Sequence, residues 1–434
     1  MRSLPARLIF GAAALASALL AQNTAPVALT LIQAEAIALK NHPQIAAAQN
    51  LAAAAGERVV ESKSAYYPTI NGEITGAQSS DQQDRVGAGA LSASRLFNRQ
   101  GDGLQLQQLV TDLGRTKNLV ANSKFQAQAA NQNTQATRFD IILGVNQAYF
   151  EVLQAKSVVK VAEDTVKARQ LLADQVTALA KSQLKSQVDI SFAEVNVSEA
   201  KLMLIRAQDA VKRAYADLGR ALGEDLPIQY DLAETNHAPP PAPAPEPLIG
   251  EAIQNRPELG GLRLRLEAAK KFETAEKDLS RPTVSVIAVG GALPYLNQDP
   301  RLAPNSYEGV ALNVDIPIFN GHLFSARRNA AHYETLATDQ HLRDLQQQVE
   351  HDVRSAWITS STAYQRIPVT EQLLNQAQAA LDLAQGRYNL GLSSIVEITQ
   401  AQLNLTQAQI ENVNARYEYQ GAFAALQYTI GALK

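Results

Sequence analysis

The side chains that could carry chemistry are few and dispersed. His322, His332, His341 and His351 invite a metal-site reading, but intervals of ten, nine and ten residues scatter them around a helix, which suits solvated side chains better. With no cysteine in the chain, a thiolate metal site, a disulfide scaffold and a lipid-bearing cysteine are all excluded. No nucleophile with a base and an orienting partner, and no glycine-rich phosphate loop, can be assembled, so neither an enzyme nor a bound cofactor is expected. What remains is a pair of carboxylates, Asp189 and Glu397, each near the start of a helical pattern where the helix dipole favours negative charge.

Those two acids occupy matching places in a duplication. Val396-Glu397-Ile398 repeats Val188-Asp189-Ile190, and Ala401, Asn404 and Ala408 repeat Ala193, Asn196 and Ala200, all at one offset of 208 positions. Nearer the N-terminus, Asn41-His42-Pro43 and Pro68-Thr69-Ile70 recur as Asn255-Arg256-Pro257 and Pro282-Thr283-Val284 at an offset of 214. The period is far longer than that of a solenoid, so two copies make one architectural unit: residues 22–237 and 248–434.

Residues 238–247, rich in proline, read as an extended connector between the copies. Ahead of them, residues 1–21 carry Arg2 and Arg7, a short apolar run and small residues, the pattern of a secretory signal, which implies export across the inner membrane. The net charge of −3 gives no reason to expect nucleic acid.

The elements that must hold the two acids are long helices. From residue 115 to 181 a helical pattern runs without proline, roughly 100 Å at 1.5 Å per residue, and returns over 187–223. Val145, Val152, Val159 and Val166 are spaced by sevens, with Ala148, Ala155 and Ala162 between them; the return helix alternates Ile190, Val197, Leu204, Val211 and Leu218 with alanines. A sustained seven-residue period demands a left-handed coiled coil, and alanine at every second seam position lets the backbones approach closely. The helix from Pro43 is expected to stack on the return helix and complete a partner for the long one. The second copy repeats the plan over 321–431, with the helix opened by Pro257 in the stacking role.

At the other end the period becomes two. Strands are expected at 69–77, about 88–110, 283–292 and 308–318, in two hairpins with long polar tips. Val310, Leu312, Val314, Ile316 and Ile318 share one face and Asn313 and Asp315 the other. About nine alternating residues is what a tilted strand needs to cross a bilayer. Four strands cannot close a barrel alone and open edges are not tolerated in lipid, so several chains must share it, and Asn313 and Asp315 would wet its interior.

Taken together, the stretch Leu104 to Arg115, its partner Val310 to His322, the tip Tyr388-Asn389-Leu390-Gly391-Leu392 and the duplication resemble outer-membrane efflux proteins of the TolC family over essentially the whole mature length. The resemblance implies a homotrimer in the outer membrane: a twelve-stranded β-barrel, four strands per chain, continued into the periplasm by an α-helical coiled-coil barrel that closes at its tips. It implies a passive exit duct recruited by an inner-membrane pump through a periplasmic adaptor, for small molecules or, alternatively, for secreted protein or metal ions. Carried over by position, Tyr388 matches a tyrosine of the closing network, and Asp189 and Glu397 stand where acids ring the constriction and form a cation site. Ser393 and Gln400 stand where the best-known member has the latching arginine and a second aspartate. Gly391, Leu392 and Ser393, with Leu184 in the first copy, correspond to the tips that adaptors grip.

The rival from another class is a soluble periplasmic coiled-coil adaptor or spacer. Such an adaptor would hold a compact β-domain between its helix arms, where this sequence has only short turns. Tyr149 and Trp357, equivalent across the copies, read as packing anchors.

Overall fold

A computed structural model describes residues 28–77, 99–224, 230–234, 239–240, 244–292 and 306–433. The expected signal segment, both polar hairpin tips and the stretch from about residue 88 to 98 lie outside these residues.

The first copy runs β1 (Ala28–Leu29), α1 (Leu31–Asn41), α2 (Pro43–Ser64), β2 (Thr69–Ala77), β3 (Arg99–Thr111), α3 (Arg115–Lys181) and α4 (Gln187–Leu222). After β4 (Asp231–Leu232) the second copy runs α5 (Glu246–Asn255), α6 (Pro257–Asp278), β5 (Thr283–Ala292), β6 (Ser306–Asp315), α7 (Leu323–Asn389) and α8 (Ile395–Thr429). Local chemistry sets these boundaries. Thr30 opens α1 with a capping box, Pro43 and Pro257 occupy first-turn positions where a missing N–H costs nothing, and Gly223 closes α4 in the left-handed region.

Two boundaries differ from the sequence reading, and two small features escape it. The strand expected to reach residue 318 stops at Asp315, because Pro317 has no N–H to give to a ladder. The proline-rich segment is not extended to residue 247: α5 begins at Glu246, its second residue being a proline that suits a first turn. Neither α5 nor the two-residue parallel pair β1–β4 is legible in the periodicity, being too short to show one.

The helices make a wall one layer thick. α3 packs against α2 and α4 on one flank and α6 and α8 on the other, and α7 packs beyond α6 and α8. The short helices stack end to end at matching corners, where a Cβ on Gly223 would lie 2.8 Å from His42 Cα and one on Gly431 would lie 3.0 Å from the Asn255 carbonyl carbon. The seam alanines Ala193, Ala200, Ala207, Ala214, Ala401, Ala408 and Ala415 are all buried. Replacing one by leucine would force the backbones apart at a cost of about 1–3 kcal/mol. Pro368 sits inside α7 and removes one helical hydrogen bond, which the packing of that helix on α6 and α8 outweighs.

At one level of the wall, α1, β1 and β4 lie on α3. Tyr149 is fully buried there, its hydroxyl donating to the Leu29 and Ala233 carbonyls at 2.9 and 2.6 Å, so it anchors the small sheet as well as packing. Trp357 is partly buried against the matching cluster in the second copy.

The second sheet is antiparallel in the order β2-β3-β5-β6, the same lateral order as the helical wall. Its register separates two faces. Ile70 pairs with Leu106, Leu106 with Ala288 and Ala288 with Val310, and Val284 and Val286 pair with Val314 and Leu312, giving an apolar face. Asn71 and Gln105, Thr69 and Gln107, Ser285 and Asn313 make the opposite, polar face, together with Glu73 and Asp315. The apolar side chains are uncovered, Ile74 at 80% and Val310 at 78% exposure. β2 and β6 each have one neighbour, leaving two open edges.

Candidate functional site: the paired hairpin tips

The end of the wall opposite the sheet consists of two helical turns. In the first, the Gln183 N–H donates to the Ala180 carbonyl at 2.9 Å and the Leu184 N–H to the Leu179 carbonyl at 3.0 Å. In the second, the Gly391 and Leu392 N–H groups donate to Tyr388 and Arg387 carbonyls at 3.0 and 2.8 Å. Both are the same two-bond helix stop, with the turning residue left-handed at φ +59° for Gln183 and +73° for Gly391. These positions are related by the 208-residue offset.

Tyr388 occupies the place where the hairpins meet. It is 5% exposed, among Leu172, Ala173, Val176, Val197, Ile395 and Ile398, so one ring ties α7 to α3, α4 and α8. Lys185 Nζ, from the first tip, lies 4.6 Å from the ring centroid, a cation–π contact across the two hairpins. The Tyr388 hydroxyl has no hydrogen-bond partner among the described residues. Burial, with the Asp189 charge as a lesser cause, raises its pKa, so it remains a neutral phenol.

The two acids are held differently. Asp189 completes a capping box on α4: its carboxylate accepts from the Ser186 N–H at 2.9 Å and the Ser186 hydroxyl at 2.8 Å. Those two bonds, assisted by Lys185, lower its pKa below the usual aspartate value. Glu397 on α8 instead pairs with Arg387 at 3.2 Å. Gln400 donates to Asn404 along α8 at 2.9 Å, and the Ser393 hydroxyl is buried without a partner among the described residues. Leu184, Leu390 and Leu392 at the extreme ends are 66–76% exposed.

The tips therefore bring together Tyr388, Asp189 and, through Arg387, Glu397. The sequence reading missed Lys185 and Arg387. Their signal was available: each is a cation beside a tip whose tyrosine or acid was already singled out. The histidines do not converge: His332 faces Glu273 at 3.0 Å, His351 faces Asp352 at 3.5 Å, and His322 holds the turn into α7. Among the described residues no group of three or more potential metal ligands forms. Asn313 and Asp315 lie far from the tips, on the polar sheet face.

The sequence matches the outer membrane efflux protein family over residues 36–224 and 248–432, the two copies on either side of the connector. The chain belongs to that family. It is 24% identical over 399 residues to outer membrane protein TolC of Salmonella enteritidis, covering 88% of this chain and 77% of that one. It is 24% identical over 430 residues to the outer membrane efflux protein BepC of Brucella suis biovar 1, covering 98% and 90%. Among solved structures, the CusC channel superposes with a TM-score of 0.81 at 18% identity, over 94% of this chain and 93% of that one.

The fold is accordingly one third of a trimeric outer-membrane channel. The four-stranded sheet is a third of a twelve-stranded barrel, and the helical wall is a third of the tube that extends into the periplasm. The soluble-adaptor reading fails on the same geometry: only residues 182–186 and 390–394 separate the helices of each hairpin, leaving no room for a β-domain.

Proposed function

We propose that the chain works as the passive exit duct of a tripartite efflux pump, opening and closing at the tips just described. The observation that carries this reading is the single-layer wall with two unsealed edges. Apolar side chains stay exposed along the outer flank of α4 (Val188, Val195, Leu202) and along α7 (Val369, Leu373, Leu383), while β2 and β6 leave open backbone edges. Three copies placed edge to edge satisfy all of them, with the polar sheet face, including Asn313 and Asp315, inward.

In that ring Asp189 and Glu397 each recur three times about the axis and make a cation-attracting constriction, with Tyr388 as the hinge that couples neighbouring hairpins. Gln400 lines α8 just beyond it. The exposed leucines Leu184 and Leu392, with Gly391 and Ser393, form the surface gripped by a periplasmic adaptor, which connects the duct to an inner-membrane transporter that selects the small-molecule cargo. The direct test is the mass of the particle extracted from outer membranes in mild detergent, corrected for bound detergent. A trimer is expected; a monomer in the soluble periplasmic fraction would overturn the shared barrel.

A further inference from the structure

An open groove of about 680 Å³ lies in the wall between the sheet and the β1–β4 level, lined by residues of all four neighbouring helices, α2, α3, α6 and α7, with Leu51, Arg58, Arg265 and Glu334 exposed along it. Its α3 residues, among them Gln126 and Asn133, lie on the side of that helix opposite Tyr149, which faces the small sheet. One face of the wall thus carries β1 and β4, and the other carries the groove.

Its chemistry follows from the duplication. Arg58 on α2 is the counterpart of Phe272 on α6, and Leu51 on α2 is the counterpart of Arg265 on α6, at the 214-residue offset. Across α3, each arginine therefore stands at the level of an apolar residue of the other copy, in two half-sites roughly 10 Å apart along the helices. Neither arginine side chain has a hydrogen-bond or ion-pair partner among the described residues. The lining holds two cations and one acid, Glu334, which has no ion pair among the described residues, so it carries a net positive charge. The volume is that of a small-ligand site.

We infer that this groove binds organic anions with a flat apolar body, of the aromatic carboxylate or sulfonate type. A guanidinium takes the anionic head and Phe272 or Leu51 covers the ring, while Asn133 and the second N–H of Gln126, whose amide also donates to Asn122 at 3.1 Å, offer donors to remaining oxygens. The site rests on the duct reading only in facing the conduit, where it is a resting place for anionic cargo upstream of the barrel.

The test is calorimetric titration of sodium naphthalene-2-sulfonate into the protein in lipid nanodiscs, with the heat of empty discs subtracted. Saturable binding is expected for the wild type, at least tenfold weaker in the R58A/R265A variant and within about threefold of wild type in R58K/R265K, which keeps the charge. Naphthyltrimethylammonium, of the same shape and opposite charge, should give no saturable heat. Thermal melts establish that the variants are folded. Equal affinity in the double alanine variant, or no saturable binding of the sulfonate to the wild type, overturns the site. Ion conductance in planar bilayers separates the two readings: a protein that binds the sulfonate but passes no current retains the site and loses the duct, and one that conducts without binding does the reverse.

Discussion

The two tips share a backbone and differ in their wiring. Both stop a helix of 67 residues with the same pair of hydrogen bonds. The first does so with Gln183 in a left-handed conformation and a capping box on Ser186; the second uses Gly391 and has no side-chain cap at Ser394. Buried polar atoms without partners among the described residues lean the same way near the turns: Tyr388, Ser393, Thr399 and Gln402 in the second hairpin, against Arg169 Nε in the first. Duplication preserved the geometry of the turn, and divergence left the second tip with more polar groups free to bond in a different arrangement. The second tip is the one we expect to move.

The strongest way to break this comparison is to remove the ring that joins the tips. Tyr388→Ala should cost about 3 kcal/mol from the lost buried side chain and detach the second hairpin from the first, seen as faster amide exchange in α7 after residue 377 and in the first turns of α8, and a raised resting conductance. Next comes the turn itself. Gly391→Ala should destabilise the second tip by about 1 kcal/mol and Gln183→Gly should stabilise the first by a similar amount, so that thermal melts of the two variants move in opposite directions.

A third variant tests the caps. Ser186→Ala should cost about 1 kcal/mol at the start of α4, whereas Ser394→Ala should be close to neutral, read as exchange protection of the first turn of each helix. The cap also gives a pH dependence. The folded pKa of Asp189 lies below the ordinary aspartate value, so its contribution is complete above that ordinary value and lost as the pH falls through the lowered one. Protection at the start of α4 should therefore hold at pH 5 and fall only once the pH drops below the ordinary aspartate range, and the fall should be smaller in Ser186→Ala, which loses the hydroxyl bond but keeps the backbone one. The smallest effect belongs to the exposed pair: Arg387→Ala should change stability by less than about 1 kcal/mol while freeing Glu397.

Much of this fold was legible because its forces are periodic. Alanines every seven residues fixed both the length of the helices and the seam they bury, and one offset of 208 carried each turn from one copy to the other. Alternation separated Val310, Leu312 and Val314 from Asn313 and Asp315 before any strand was paired. What escaped has no period. The β1–β4 pair is held by one tyrosine hydroxyl on two carbonyls, and α5 begins among prolines. The left-handed Gln183 is visible only against its glycine counterpart. At the tips, the acids could be placed by position, but their partners could not, because Lys185 over Tyr388 and Arg387 on Glu397 depend on how the chain crosses a turn.

The central claim, a conduit constricted at its paired tips, is tested most directly by reversal potentials across planar bilayers in a salt gradient. The wild-type channel should be cation-selective, and the D189A/E397A variant should lose most of that selectivity together with block by multivalent cations. Identical reversal potentials in the two proteins would contradict the account and place the constriction elsewhere.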